Sequence, residues 1–224
     1  MGAWTRARAA VFDMDGTLVD NMAFHADAWV AIARERLGLE VPRERFLREF
    51  AGKKNEEIIP VLAPGLSRPE VSSLALEKEE AYRALYRPHL RPLAGLGAFL
   101  ERLRAAGVVC AVATAAPPGN RDLVLDGLEL RGVFAHVIGA EDAPRGKPFP
   151  DIYLAAARAL AVAPGECVAF EDAANGVLSA RAAGMPTLGL LTSTTREALL
   201  DAGAAWVVPD FQAVPGELER LLFG

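Results

Sequence analysis

The chain is short of cysteine and lysine and has no long uncharged apolar run, and each shortage excludes a class of protein. Its two cysteines, Cys110 and Cys167, cannot build the disulfide framework of a small secreted domain. Both sit inside apolar runs, VVCAVAT and CVAF, and read as buried structural thiols rather than redox groups. The longest apolar candidate, around VVCAVATAAPPG, is broken by prolines and a glycine before it reaches membrane-spanning quality. The stretch MGAWTRARAAVF contains no signal-type apolar region before charge returns at Asp13. A soluble, cytoplasmic protein with no membrane partner is expected. Net positive charge is absent too: the formal charge of −5 argues against the basic surface of a general nucleic-acid binder. That balance still leaves room for a local positive pocket facing a small anion.

What is present is material for a substantial core. Hydrophobic residues make up 52% of 224 positions, enough for one large domain or two modest ones. Short apolar runs stand apart: AAVF (9–12), VVCAVA (108–113), HVIG (136–139), CVAF (167–170), TLGLL (187–191) and WVV (206–208). Apolar on both sides, they read as strands of a parallel sheet buried on both faces. Helical patterns fall between them, including LGAFLERLRAAG, NRDLVLDGLEL, PDIYLAAARALAV, AANGVLSARAAG and TTREALLDAG. Gly107, Gly184 and Gly203 fall where these helices should stop. VPGELERLLFG reads as a closing amphipathic helix. Alternating strand and helix predicts an α/β fold, a Rossmann-like parallel sheet with helices on both faces.

Residues 21 to about 92 break that rhythm with helical patterns alone, punctuated by Pro42, Pro64 and Pro69. An all-helical cap domain, 20–92, is therefore predicted as an insertion into a core formed by 1–19 and 93–224. With no exposed apolar helix face standing out, a monomer is expected.

Open parallel sheets bind ligands beyond the carboxyl ends of their strands. Asp13-Met14-Asp15-Gly16-Thr17 follows the first run, Thr114 the second, and Glu171-Asp172 then Asn175-Gly176 the run at 167. Arg145-Gly146-Lys147-Pro148 precedes a helix. Any one of these is an ordinary turn or cap feature; their joint placement along one sheet edge is the signal. Asp13, Asp172 and Glu171 can share a hard divalent cation, most naturally Mg²⁺. Lys147, one of only four lysines, suits a point contact with a carboxylate and a phosphoryl oxygen. Thr114 can donate a hydroxyl hydrogen bond to a second phosphoryl oxygen, and backbone N–H groups after Asp13 can serve a third. These are the requirements of phosphoryl transfer. A calcium loop is disfavoured because, counting Asp13 as first, glycine stands at the fourth position rather than the sixth, and Phe24 occupies the twelfth. A receiver-like signalling domain, the non-enzymatic alternative, would place its acidic pair and its phosphorylated Asp on different strands of a much shorter chain.

D-M-D-G-T-L, the strand-end Thr114, the Lys147 of GKPFPD and E-D-x-x-N-G, in that order, resemble the four motifs of the haloacid dehalogenase superfamily over essentially the whole chain. The helical insert is similar to the helical-cap subgroup that includes β-phosphoglucomutase and many sugar-phosphate phosphatases. The resemblance implies that Asp13 attacks phosphorus and that Asp15 serves as acid and then base. It implies Mg²⁺ held by Asp13, the Asp15 backbone carbonyl and Asp172, with Glu171 supporting it directly or through water. Thr114, Ala115 and Lys147 would hold the phosphoryl group. Dehalogenases of the superfamily lack the second Asp, so Asp15 points to phosphate chemistry. In the cap, the resemblance implies substrate roles for His25 and for the loop carrying Gly52, Lys53 and Lys54, with Arg83 a weaker candidate. Mutases of the subgroup grip a second phosphate through a cap-loop arginine and a Ser-Lys-Asn run. Here Asn55 stands near that arginine's place, and the run after Thr114 is Ala115-Ala116-Pro117-Pro118-Gly119-Asn120. Hydrolysis of a small phosphorylated metabolite is therefore expected, with phosphosugar mutation as the alternative.

Overall fold

The computed structural model of the protein describes residues 6–50 and 53–224. In chain order its regular elements are β1 (Ala9–Phe12), α1 (Met22–Leu37), α2 (Arg43–Glu49), α3 (Asn55–Leu62), α4 (Arg68–Tyr86) and α5 (Leu96–Ala105). There follow β2 (Val109–Ala113), α6 (Pro118–Gly127), β3 (His136–Ile138), α7 (Asp151–Ala159), β4 (Cys167–Glu171) and α8 (Ala174–Ala182). The chain closes with β5 (Thr187–Leu190), α9 (Arg196–Ala202), β6 (Trp206–Val208) and α10 (Gly216–Phe223). It divides into two compact units, Met1–Asp20 with Arg91–Gly224, and Asn21–Leu90.

The first unit is built on one sheet in the order β3-β2-β1-β4-β5-β6, with every pairing parallel. Period-two alternation explains its two faces. Ala9 and Val11 of β1 point one way, with Ala111, Ala113 and Ala169, onto Ile152, Tyr153 and Ala156 of α7 and Ala180 of α8. Phe12 points the other way, stacked on Phe170 at 4.4 Å between ring centroids and edge-on to Phe99 of α5. Phe99 in turn meets Phe223 of α10. Small residues on one face let α7 approach closely, and an aromatic cluster fills the other. Burying a ring such as Phe12 is worth roughly 2 kcal/mol.

The expected strands all form. Two differ in burial: His136 of β3, an edge strand, is exposed rather than covered on both faces, and so is Val109 at the start of β2. α6 begins at Pro118, two residues ahead of the expected start, because proline is pre-organised for a first helical turn. Cys110 and Cys167 are buried free thiols, and burial pushes them up to about 12 and about 11. The chain departs for the helical unit just after Leu18 and returns at Leu93, whose N–H donates to the Leu18 carbonyl at 2.8 Å.

The helical unit has its own core, in which α1 lies against α2 and α4, and α3 against α4. Trp29, Ile32, Phe46, Phe50, Ile59 and Leu74 fill it, with Trp29 and Phe46 stacked at 5.6 Å. No helix among the described residues is long and apolar enough to cross a membrane.

Candidate active site

The strand order reverses at β1: the chain steps outward to β2 and β3, then returns to lay β4 on the other side. That switch point opens a crevice at the carboxyl ends of β1 and β4. The two strands are in register, with Phe12 opposite Phe170, and the Asp13 N–H donates to the Phe170 carbonyl at 2.9 Å. Asp13 and Glu171 thus leave the sheet side by side. By strand alternation both share the face of Val11 and Ala169, toward α7 and α8.

Lys147 joins them from the loop before α7. Its Nζ donates to Asp13 Oδ1 at 2.6 Å and to Glu171 Oε1 at 2.5 Å, with the side chain almost wholly buried. Tyr153 of α7 donates to the same Glu171 oxygen at 2.6 Å, and the Lys147 ammonium lies 5.3 Å from its ring centre. The other Glu171 oxygen accepts the backbone N–H groups of Asp172 and Ala173. Gly176 makes space for this carboxylate, since a Cβ there would run into it.

Asp172 sits against Gly16 of the loop after β1. Gly16 has φ +76°, and a Cβ would strike the Asp172 carboxylate, so both space and backbone require glycine. The loop after β5 completes the arrangement. Ser193 Oγ donates to Asp172 Oδ2, and Thr192 Oγ1 donates to the Gly16 carbonyl. Thr114 directly follows β2; its hydroxyl oxygen accepts the Ala116 N–H at 3.0 Å, leaving its own hydrogen to be donated. Ala115, next to it, is half-buried.

Asp13, Glu171 and Asp172 each offer one oxygen, all within 4.8 Å of one another, and all three residues are buried. Two like charges 4 Å apart repel by about 4 kcal/mol at an effective dielectric of 20. Burial pushes the Asp13 carboxyl up to about 7; Lys147 pulls it down while Glu171 and Asp15 push it further up. Asp172 stands well above the ordinary carboxylate range, through burial first and then Glu171 and Asp13. For Lys147 burial works downward, but Asp13 and Glu171 hold it above its usual value. Three carboxylates against one ammonium leave an excess that a divalent cation matches in charge, and the all-oxygen donor set fits Mg²⁺. The Asp15 carboxylate is not part of that cluster; it follows Asp13 by two residues and acts on it through charge.

The sequence-predicted core residues Asp13, Lys147, Glu171 and Asp172 are thus brought into contact or near-contact. Tyr153, Thr192 and Ser193 were not foreseen. In the helical unit, His25 of α1 stacks on Tyr82 at 3.7 Å, and its Nδ1 lies 2.8 Å from Lys78 Nζ. Lys78, also unforeseen, is buried and paired with Glu79 at 2.9 Å. Asn55 donates to the same Glu79 oxygen at 2.6 Å. Lys53 is exposed, its ammonium 5.6 Å from the Phe50 ring centre, and Lys54 caps α3. Arg83 is half-buried on α4, and Gly52 lies outside the described residues.

A sequence profile described as haloacid dehalogenase-like hydrolase matches residues 7–184. The chain belongs to this family. The haloacid dehalogenase-like chain is 36% identical to hexitol phosphatase A of Escherichia coli over 181 residues, covering 80% of this chain and 81% of that one. It is 30% identical to β-phosphoglucomutase of Bacillus subtilis over 193 residues, covering 82% and 83%. Among solved structures, a family IA haloacid dehalogenase hydrolase from Entamoeba histolytica superposes with a TM-score of 0.87 at 26% identity. That likeness covers 97% of this chain and 100% of that one. The six-stranded parallel sheet is the haloacid dehalogenase-like core.

Proposed function

We propose that this chain is a phosphatase that hydrolyses small phosphomonoesters, sugar phosphates among them, using Asp13 as nucleophile. The observation that carries the reading is the buried Asp13–Lys147–Glu171 contact at the switch point, with Asp172 beside it. Asp13 and Asp172, with the Asp15 carbonyl, are the residues that would hold Mg²⁺, with Glu171 supporting it directly or through water. When bound, that ion offsets the repulsion between the carboxylates and an incoming phosphate.

One carboxylate oxygen of Asp13, whose Oδ1 also accepts from Lys147, is the attacking atom. It forms a bond to phosphorus as the bond from phosphorus to the leaving oxygen breaks, and Asp15 protonates that oxygen. Asp15 then takes a proton from the water that attacks the aspartyl phosphate, releasing inorganic phosphate and restoring Asp13. The Thr114 hydroxyl and Lys147 orient the phosphoryl oxygens throughout. The helical unit supplies the residues that discriminate among leaving groups, with His25, Lys53 and Lys54 as candidates. A cytoplasmic, monomeric enzyme acting on a phosphorylated metabolite is in keeping with the composition.

The test is phosphate release from a panel of sugar and polyol phosphates with added Mg²⁺. Activity on several members, lost in Asp13→Asn, is the expected outcome. Wild-type protein inert across the panel overturns the reading.

Likeness to a β-phosphoglucomutase raises mutation as a second reading. Two features favour hydrolysis. Asn55, near the place of the mutase arginine, is engaged with Glu79, and α6 opens on Pro118 where a mutase carries polar anion ligands. Supplied with β-glucose 1-phosphate and a trace of the 1,6-bisphosphate, the protein should release phosphate. Efficient formation of glucose 6-phosphate instead would establish the mutase.

A further inference from the structure

The three carboxylates of the site differ in how many of their oxygens other groups already hold. Both Glu171 oxygens are taken, one by Lys147 and Tyr153, the other by the backbone N–H groups of Asp172 and Ala173. Asp13 has Oδ1 occupied by Lys147. Asp172 has Oδ2 occupied by the Ser193 hydroxyl. Each therefore has at least one oxygen committed to a protein donor.

That pattern bears on which cation fits. Mg²⁺ takes six ligands in near-octahedral geometry, accepts one oxygen from each of one or two carboxylates, and keeps several waters. Ca²⁺ takes six to eight, and carboxylates often give it both oxygens. A carboxylate with one oxygen pinned serves the first ion without rearrangement. To serve the second fully it must first give up a hydrogen bond. Of the three pins, two involve Lys147, whose loss would disturb the phosphoryl site itself. Ser193 holds Asp172 from outside the phosphoryl machinery.

Ser193 is also well seated for the task. Its neighbour Thr192 is tied to the Gly16 carbonyl, so the loop after β5 grips the nucleophile loop with one residue and Asp172 with the next. Gly16 brings these groups into close packing, since a Cβ there would meet both the Asp172 carboxylate and Ser193 Oγ.

We propose that Ser193 is a positioning residue that restricts Asp172 to one-oxygen ligation and thereby biases the site toward Mg²⁺ over Ca²⁺. The inference rests on the metal-binding reading of Asp13 and Asp172. Calorimetric titration of the whole protein with Mg²⁺ alone and Ca²⁺ alone separates the two. Ser193→Ala should shift the ratio of the two affinities toward Ca²⁺ by tenfold or more, while Ser193→Thr, which retains the hydroxyl, should keep the wild-type ratio. A shift below threefold in Ser193→Ala overturns the inference and leaves the metal site standing, as does an equal shift in Ser193→Thr. Wild-type protein that takes up neither ion would remove the metal site, and this inference with it.

Discussion

At the scale of single residues, the two aspartates of the first loop have different surroundings, in keeping with the different roles proposed for them. Asp13 is buried against Lys147 and Glu171, while Asp15 is half-exposed and stands outside the acidic cluster. A proton donor needs exchange with water and leaving group; a nucleophile needs a fixed lone pair. Replacing Asp15 by Asn should therefore spare the attack and cripple the second half of the cycle. General acid–base catalysis is worth about 10²–10⁴ in rate. With p-nitrophenyl phosphate, whose leaving group needs no proton, Asp15→Asn should release one equivalent of nitrophenol rapidly and then turn over at least 100-fold more slowly than wild type. Rapid-mixing absorbance measurements read this directly, and a steady rate with no burst would assign the roles differently. The residues that escaped the sequence reading share a trait at this scale. Tyr153, Ser193 and Lys78 sit in stretches, DIYLAAA, TSTT and LEKEEAY, whose local pattern is that of an ordinary helix or a solvated loop. Their partners are 18, 21 and 53 positions away, so only tertiary packing reveals them.

At the scale of elements, α8 illustrates how a helix start can serve a neighbouring strand. Gly176 lies in its first turn, where alanine would raise helix propensity by about 1 kcal/mol. Yet a Cβ at that position runs into the Glu171 carboxylate. Gly176→Ala should accordingly lower thermal stability, since displacing a buried carboxylate held by four donors outweighs the gain in propensity, and lower kcat about 100-fold, the cost of a misplacement near 1 Å. Melting temperature and steady-state rates on one preparation check both halves. The same element shows what the sequence does convey. Strands buried between neighbours announce themselves as short two-sided apolar runs, and the polar residues that follow them mark the sheet edge without reference to any contact. Edge status is not announced, because it depends on which strands pair; hence the exposed side of β3 was missed. The helix-only stretch points to a separate helical insert because no run within it has strand character.

At the scale of the whole molecule, the buried acidic centre sets how stability responds to pH. Asp13 holds its proton up to about 7, and Asp172 is raised as well, whereas in the unfolded chain both ionise near the ordinary carboxylate value of 3.8. Between those limits these two groups bind more protons in the metal-free folded protein than in the unfolded chain, so their contribution to stability falls as pH rises through the window. Thermal melts of chelator-treated protein from about pH 4 to about pH 7 should show a declining midpoint. Added Mg²⁺ should raise the midpoint most at the neutral end, where the carboxylates are ready to ligate. A midpoint that climbs with pH in the metal-free protein would contradict this account of the site's charge.

The stitch between Leu18 and Leu93 has a wider consequence. Seventy-odd residues are threaded out and back through a doorway one hydrogen bond wide, so the sheet's hydrogen bonding needs no cooperation from what is housed beyond it. Selection can therefore alter the guest module while leaving the sheet and its acidic centre in place.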